Sequence, residues 1–318
     1  MSAPSGLVVQ ERRTSKQTIA VRRACARLCR VPSARAIHQA ARLRIESRFF
    51  TDWCRRAPYA SLHESFLGAV ERLSAWPSPE DYDDLAARVP RATRDAGGLA
   101  VPRFVVQDRQ ELARLGGYEP HVARMRAVPT RARNWHDFFN MAVWAHFPRV
   151  RWALNAIHVD GALGPVDPRN GRAPEQNVAA QFDESGLIVA SSSAELLAGL
   201  GGLRFKMVFW ERREELLATT RFWVVGHGML ESLLTPHLGL SGKAVLVQLP
   251  RPPASYAADE LRFGVDTLVA ERIAGWRGRA PVLGPVPVLG IPGCADNSAP
   301  SFYDDTRYFR FERRPRAR

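Results

Sequence analysis

Two stretches of the chain carry polar side chains at a spacing that could build a site. His136 and Asn140 stand four residues apart, Arg151 and Asn155 do the same, and His158 follows Asn155 by three. On a helix each set shares one face. The neighbours Trp135, Phe138, Phe139, Trp144 and Trp152 are aromatic. Imidazoles, amides and a guanidinium would therefore look into a partly desolvated space, where pKa values shift. Such a set suits general-base chemistry by a histidine, with Arg151 stabilising negative charge that develops on a phosphoryl or acyl oxygen. The competing reading is a solvated helix face laid over an aromatic core.

A second locus is Gly226-His227-Gly228-Met229-Leu230-Glu231. His227 and Glu231, at i and i+4, can direct a nitrogen and an oxygen at one cation, and a helix salt bridge uses the same spacing. The flanking glycines would let another segment come close to His227. His136, His158, His227 and Glu231 are accordingly the candidate ligands for a divalent metal, on the condition that the histidines converge. Asp183 and Glu184 are adjacent carboxylates in Asp183-Glu184-Ser185-Gly186, which reads as a hairpin turn. Asp304, in the aromatic and acidic run Phe302-Tyr303-Asp304-Asp305, could reach back to orient a histidine, or the run could simply dock the chain end.

The elements that must position these residues follow from periodicity and breakers. Pro148 removes a helical N–H and disfavours helix at Phe147, so residues 134–158 should be two helices, with Asn134 as N-cap of the first. Helices are also expected at 61–75, 79–87, 118–127, 194–200, 205–220, 222–234 and 257–274, with Ser192 and Glu195 as a capping box opening the one at 194–200. Strands are expected at 99–106, 187–190 and 244–249, with 177–182 pairing 187–190 as a hairpin. The apolar Pro/Gly-rich run at 281–300 reads as buried irregular chain. The resulting fold class is α+β, predominantly helical, a single domain with a small antiparallel β element.

Charge divides the 318 residues into three parts. Residues 1–44 hold 10 basic residues against one acidic, and residues 310–318 hold 5 Arg against Glu312. Together these flanks account for the whole formal net charge of +13, and residues 45–309 are neutral. The expected organisation is a basic N-terminal arm at 1–44, one globular domain at 45–309 and an Arg-rich tail at 310–318. The arm reads as a flexible appendage or over-extended start, as a nucleic-acid or membrane-surface arm, or as a transit peptide. No run of about 18 apolar residues suggests a transmembrane helix. Four scattered cysteines do not make a disulfide framework, and a reduced cytoplasm fits best. Absent Gly-x-Gly-x-x-Gly, P-loop, Gly-x-Ser-x-Gly and His-Glu-x-x-His motifs disfavour nucleotide-fold enzymes, P-loop NTPases, α/β-hydrolases and zincins.

Several ordered motifs carry a family resemblance. They are Val128-Pro129-Thr130-Arg131 running into Asn134-Trp135-His136-Asp137-Phe138-Phe139-Asn140, then Trp144, Phe147-Pro148, Leu154-Asn155 and His158. Phe182-Asp183-Glu184-Ser185-Gly186, Gly226-His227-Gly228 and Gly239-Leu240-Ser241-Gly242-Lys243-Ala244 follow. The last is Pro287-Val288-Leu289-Gly290-Ile291-Pro292-Gly293 with Asn297 and Phe302-Tyr303-Asp304-Asp305. Over roughly residues 45–311 the chain resembles an uncharacterised proteobacterial domain-of-unknown-function family. The family has no known activity, so the resemblance implies relatives and no reaction.

Two functional expectations stand side by side. One is a hydrolase-type enzyme acting on a small-molecule or phosphate-bearing substrate. Its cleft is built from His136, Asn140, Arg151, Asn155, His158 and His227, with Asp183, Glu184 and Asp304 in support and a divalent metal as the cofactor in question. The other is a non-catalytic binding protein whose basic termini alone contact nucleic acid or another anionic partner, recognisable by steep salt dependence. A purely structural helper is a third.

Overall fold

The computed structural model describes residues 48–90, 100–160, 166–168 and 171–309. The basic arm and the Arg-rich tail lie outside the described residues, as does Leu99.

The chain begins with α1 (Glu64–Glu71) and α2 (Pro79–Ala87), the latter opened by a reciprocal Ser78–Asp81 capping box. A crossover follows: β1 (Arg103–Val106), α3 (Arg109–Leu115), α4 (Tyr118–Met125) and β2 (Ala127–Thr130), with β1 and β2 paired in parallel. Next come the two central helices, α5 (Trp135–His146) and α6 (Pro148–Val159). Asn134 caps α5 by accepting the Asp137 backbone N–H at 3.0 Å, and the break falls at Phe147 where Pro148 requires it.

The second half is built around a sheet. Helix α7 (Pro174–Ser185) runs directly into β3 (Gly186–Ser191), followed by α8 (Ala194–Gly201), a π-helical turn at Met207–Glu211 and α9 (Arg213–Thr219). Then come β4 (Thr220–Val224), the short α10 (His227–Ser232), β5 (Ser241–Gln248), α11 (Ala258–Ala274) and β6 (Gly284–Pro287). The sheet order is β4-β3-β5-β6. The antiparallel pairs β3–β4 and β5–β6 flank a parallel β3–β5 pair. Every residue of β3 is buried, as expected of a central strand covered on both faces. The class is α+β and predominantly helical.

Three local readings change. Residues 177–182 are helical, so there is no hairpin there. Pro174 sits at the helix start, Gln176 accepts the Ala173 N–H at 3.0 Å, and Gln176, Ala179 and Phe182 bury one face. β3 pairs with β4 and β5 instead. The stretch 222–234 divides into the end of β4 and α10, because its apolar residues are used first as a sheet strand and only then as a helix. The cap of α8 is Ser193, one residue beyond Ser192, and Glu195 pairs with Arg212 rather than closing a capping box.

The aromatic residues around the polar stripe are core. Trp53, Trp135, Phe138 and Phe139 lie edge-on or stacked with centroids 5.2–6.2 Å apart. They fix the rotation of α5 and so decide which side chains are left to face elsewhere. Helix α6 is held at its start by Asp266 of α11, whose carboxylate accepts the Arg149 and Val150 backbone N–H groups at 3.1 and 2.9 Å. These are orphan donors of the first turn, satisfied here from another helix.

Candidate metal centre

A cleft of about 300 Å³ opens between the ends of these elements. The first turn of α4 supplies Tyr118 and Glu119, and α5 supplies His136, Asp137 and Asn140. Arg151 and His158 come from α6, Asp183 and Glu184 from the last turn of α7, and His227 from the start of α10. Gln107, Pro129 and Arg131, at and beyond the ends of β1 and β2, complete one wall together with Arg172.

His136, Glu184 and His227 converge. One donor atom from each lies within 4.8 Å of the others. Glu184 Oε1 is 3.5 Å from His136 Nε2 and 3.8 Å from His227 Nε2. A tetrahedral zinc with ligands at about 2.0–2.2 Å separates its donors by about 3.3–3.6 Å, so the two edges to Glu184 are near the required length and the set as a whole would have to draw in from a span of up to 4.8 Å. The two rings meet edge to face with centroids 4.3 Å apart, which leaves both Nε2 atoms turned to the same carboxylate.

Each imidazole is backed by a carboxylate on its other nitrogen. His136 Nδ1 lies 3.5 Å from Asp137 Oδ1, and His227 Nδ1 lies 3.6 Å from Asp183 Oδ1. Each of these carboxylates is in turn held by an arginine. Arg131 grips Asp137 with Nη2 and Nε at 2.7 and 3.0 Å, and its backbone N–H adds a third bond at 2.7 Å. Arg151 Nη1 pairs with Asp183 and its Nη2 donates to Asn140 Oδ1 at 2.9 Å. Asn140 then donates to the Tyr118 hydroxyl at 2.8 Å. The chain of contacts is nearly symmetric: arginine, aspartate and histidine on either side of Glu184. Ligating histidines characteristically have a carboxylate beside the second nitrogen; here His136 is hydrogen-bonded to Asp137, whereas His227 Nδ1 stands near Asp183 without a hydrogen bond.

Glycines make the convergence possible. A Cβ at Gly226 would fall 2.3 Å from the Gly186 nitrogen and 2.5 Å from Ser185 Cα, so only glycine lets α10 lie against the α7–β3 junction. A Cβ at Gly228 would fall 2.2 Å from Glu184 Oε2. The Gly-His-Gly sequence thus brings His227 to Glu184, two side chains far apart in sequence.

Charge distribution follows from burial and partners. Burial opposes the charged ring of His136, but hydrogen bonds to Asp137 and Glu184 outweigh it and lift its pKa to about 9. Burial first, then Arg151 and His136, push His227 well below the ordinary histidine value. Asp137 is held down at about 2 because Arg131 and His136 overcome its burial. The His136 hydrogen bond holds Glu184 at about 2 as well. Burial, with Arg172 and Arg151 nearby, takes His158 down to about 4. The carboxylates are therefore ionised and His158 and His227 neutral near pH 7. A cation entering between His136 and Glu184 would have to displace the proton that the raised pKa of His136 favours.

The other sequence candidates fall elsewhere. Among the described residues the converging set has Glu184 where the helical spacing nominated Glu231, and His158 lines the cleft without joining the set. Asn155 donates to Glu119, through the backbone oxygen at 3.0 Å and Oε2 at 2.5 Å, behind the wall. Asp304 pairs with Lys206 at 2.5 Å, and Tyr303 is buried against Gly290, Asn297 and Arg213, so this segment docks the chain end. Sequence reasoning missed Arg131, Asp137, Tyr118, Glu119 and Arg172 as lining residues. Asp137 was legible only as a helix N-terminal charge, and no spacing rule ties Arg131 to it across the β2–α5 loop.

No described helix is long and apolar enough to cross a membrane. No curated protein and no solved structure matches the chain significantly. A family described as Protein of unknown function (DUF3025) matches residues 102–313, a span that includes His136, Asp137, Arg151, Asp183, Glu184 and His227. The chain belongs to this family of unknown function.

Proposed function

We propose that the protein is a metal-dependent hydrolase whose cation is held by His136, Glu184 and His227. The observation that carries this reading is the pair of Arg–Asp–His relays that converge on one carboxylate oxygen. A structural salt bridge needs no second carboxylate behind each imidazole. A ligand set needs it, to fix the tautomer and turn Nε2 toward the ion.

Two histidines and one carboxylate leave an open position on a tetrahedral ion, the pattern of catalytic rather than structural zinc sites. A dication held by His136, Glu184 and His227 would supply Lewis-acid activation of water at near-neutral pH. The protein's own contribution is placement. His136 and His227 are set by the first turns of α5 and α10, and Glu184 by the last turn of α7, where the helix dipole favours a nearby cation. His158, neutral and lining the same cleft, is the general base or proton carrier.

Elemental analysis of purified protein tests the reading. The wild type should carry about one divalent ion per chain, the His136→Ala/His227→Ala variant none, and turnover on a hydrolase panel should disappear with the metal. Equal metal content in the two proteins would overturn it.

A further inference from the structure

Arg151 orients more than the aspartate beside it. It is 3% exposed, pairs through Nη1 with Asp183 and donates through Nη2 to Asn140 Oδ1 at 2.9 Å. A guanidinium can only donate, so the amide oxygen of Asn140 must face it and the amide nitrogen must face away. That nitrogen donates to the Tyr118 hydroxyl at 2.8 Å, where the phenolic oxygen is the acceptor. The phenolic proton is therefore not used in this contact, and the hydroxyl has no other hydrogen bond among the described residues. Tyr118 lines the cleft, and burial pushes its pKa above the ordinary tyrosine value, so the proton stays on the oxygen. Asn140 follows His136 by one turn on the same face of α5, with about 5–6 Å between their Cβ atoms. A donor thus stands close to the proposed metal position with its proton unassigned. The contacts that hold it, Asp183 to Arg151 to Asn140, begin at the carboxylate beside His227.

Resting on the hydrolase reading above, we infer that Tyr118 donates a hydrogen bond to the oxygen of the scissile group that becomes negative as water attacks. The proton stays on Tyr118 and no bond to it breaks. The role is that of an oxyanion donor, a dipole aimed beforehand at the place where charge develops. The bond that Tyr118 accepts from Asn140 polarises its O–H and makes it a stronger donor. It also restricts where the proton can point, because the lone pair facing Asn140 is occupied. Asn140 and Arg151 are positioning residues in this scheme. The Arg151 guanidinium is committed to Asp183 and Asn140, so it acts through Tyr118 rather than on the substrate. At about 300 Å³ the cleft is at the small end of ligand sites, so a group bound to the cation by one oxygen has the Tyr118 hydroxyl within its surroundings.

The test uses the full chain, with zinc content measured first and acetohydroxamate as probe, a zinc ligand whose oxygens also accept hydrogen bonds. Ethanethiol, which binds zinc through sulfur and offers no oxygen, is the control. In calorimetric titrations of zinc-loaded protein, Tyr118→Phe should weaken acetohydroxamate about tenfold, as expected for loss of one hydrogen bond to a charged group. Ethanethiol affinity and zinc content should not change. Raman spectra of the wild type give a second reading that needs no variant. The tyrosine ring doublet differs between a phenol that accepts and one that donates, and Tyr118 is the one tyrosine among the described residues lining the cleft. Adding acetohydroxamate to zinc-loaded protein should move the doublet toward the donor pattern. A Tyr118→Phe protein that binds the hydroxamate as tightly as the wild type, or loses both probes equally, overturns this inference and leaves the metal site standing, and so does an unmoved doublet. A chain that takes up no zinc overturns the hydrolase reading and this inference together.

Discussion

Replacing Gly228 by alanine should separate the metal site from the fold. The added Cβ would lie 2.2 Å from Glu184 Oε2 and 3.2 Å from the Glu184 backbone oxygen. The second contact needs a few tenths of an ångström of adjustment. The first is impossible with the carboxylate where it is. The Glu184 side chain is 58% exposed, so it can swing into water without leaving a buried charge behind. Alanine gains about 0.5–1 kcal/mol over glycine inside a helix, and somewhat less near a helix start. The net change in folding free energy should therefore stay within about 1 kcal/mol. Metal affinity should fall much further. Disturbing even a group behind a ligand costs about 10–100-fold, and displacing the ligand itself should reach or exceed about 100-fold, near 2.7 kcal/mol. Gly226→Ala is the contrast. Its Cβ meets the Gly186 nitrogen at 2.3 Å and Ser185 Cα at 2.5 Å, both backbone, which cannot step aside. That variant should lose about 3 kcal/mol of stability. Zinc competition against a chromophoric chelator, alongside urea denaturation of both variants, gives the two numbers. Wild-type zinc affinity in Gly228→Ala would show that Glu184 is not a ligand. Denaturation of Gly228→Ala at the same urea concentration as Gly226→Ala would show that the carboxylate is fixed by the fold, and the reasoning would fail.

Other perturbations address the scaffold. His146 is fully buried, donates through Nδ1 to the Ala142 carbonyl at 2.6 Å and accepts the His63 N–H at 2.9 Å, and burial holds its pKa near 3. The folded ring stays neutral while the unfolded one protonates below about 6.5, so this group withdraws about 1.4 kcal/mol of stability per pH unit as pH falls from there toward 3. His146→Gln should remove about one proton's worth of that slope between pH 6 and 4.5, measured by denaturant midpoints, and an unchanged slope would refute the assignment. Asp266→Ala strips the start of α6 of its two acceptor contacts and should cost about 2–3 kcal/mol of stability in the same assay. Asp183→Ala leaves Arg151, which is 3% exposed, as an uncompensated buried charge and should cost about 3–5 kcal/mol. An Arg151→Met/Asp183→Leu variant should recover most of that stability while still losing metal affinity, because His227 no longer has a carboxylate behind it.

The central helices were legible because their signals are local. Pro148 stops one helix and starts the next, Asn134 caps the first through its own third residue, and the spacing of His136 with Asn140 and of Arg151 with Asn155 is a property of 3.6-residue geometry. The contact between Asn140 and Arg151 then follows once the chain folds back at Phe147. The 177–185 segment misled because Asp-Glu-Ser-Gly has turn chemistry while Pro174, Gln176, Ala179 and Phe182 carry a helical face. The face prevailed, since burying it against the rest of the core outweighs what a turn gains locally.

By itself the sequence determined the residue types available for chemistry, the helix on which most of them sit and the confinement of net charge to the flanks. Tertiary structure alone decided which of them meet. His227 was paired by spacing with Glu231, four residues away on its own helix, yet its partners are Asp183 and Glu184, brought there because glycines 186, 226 and 228 let two backbones approach closer than any Cβ allows. Periodicity reports neighbours along one helix. A ligand set is assembled across helices, by packing that no spacing within a single helix encodes.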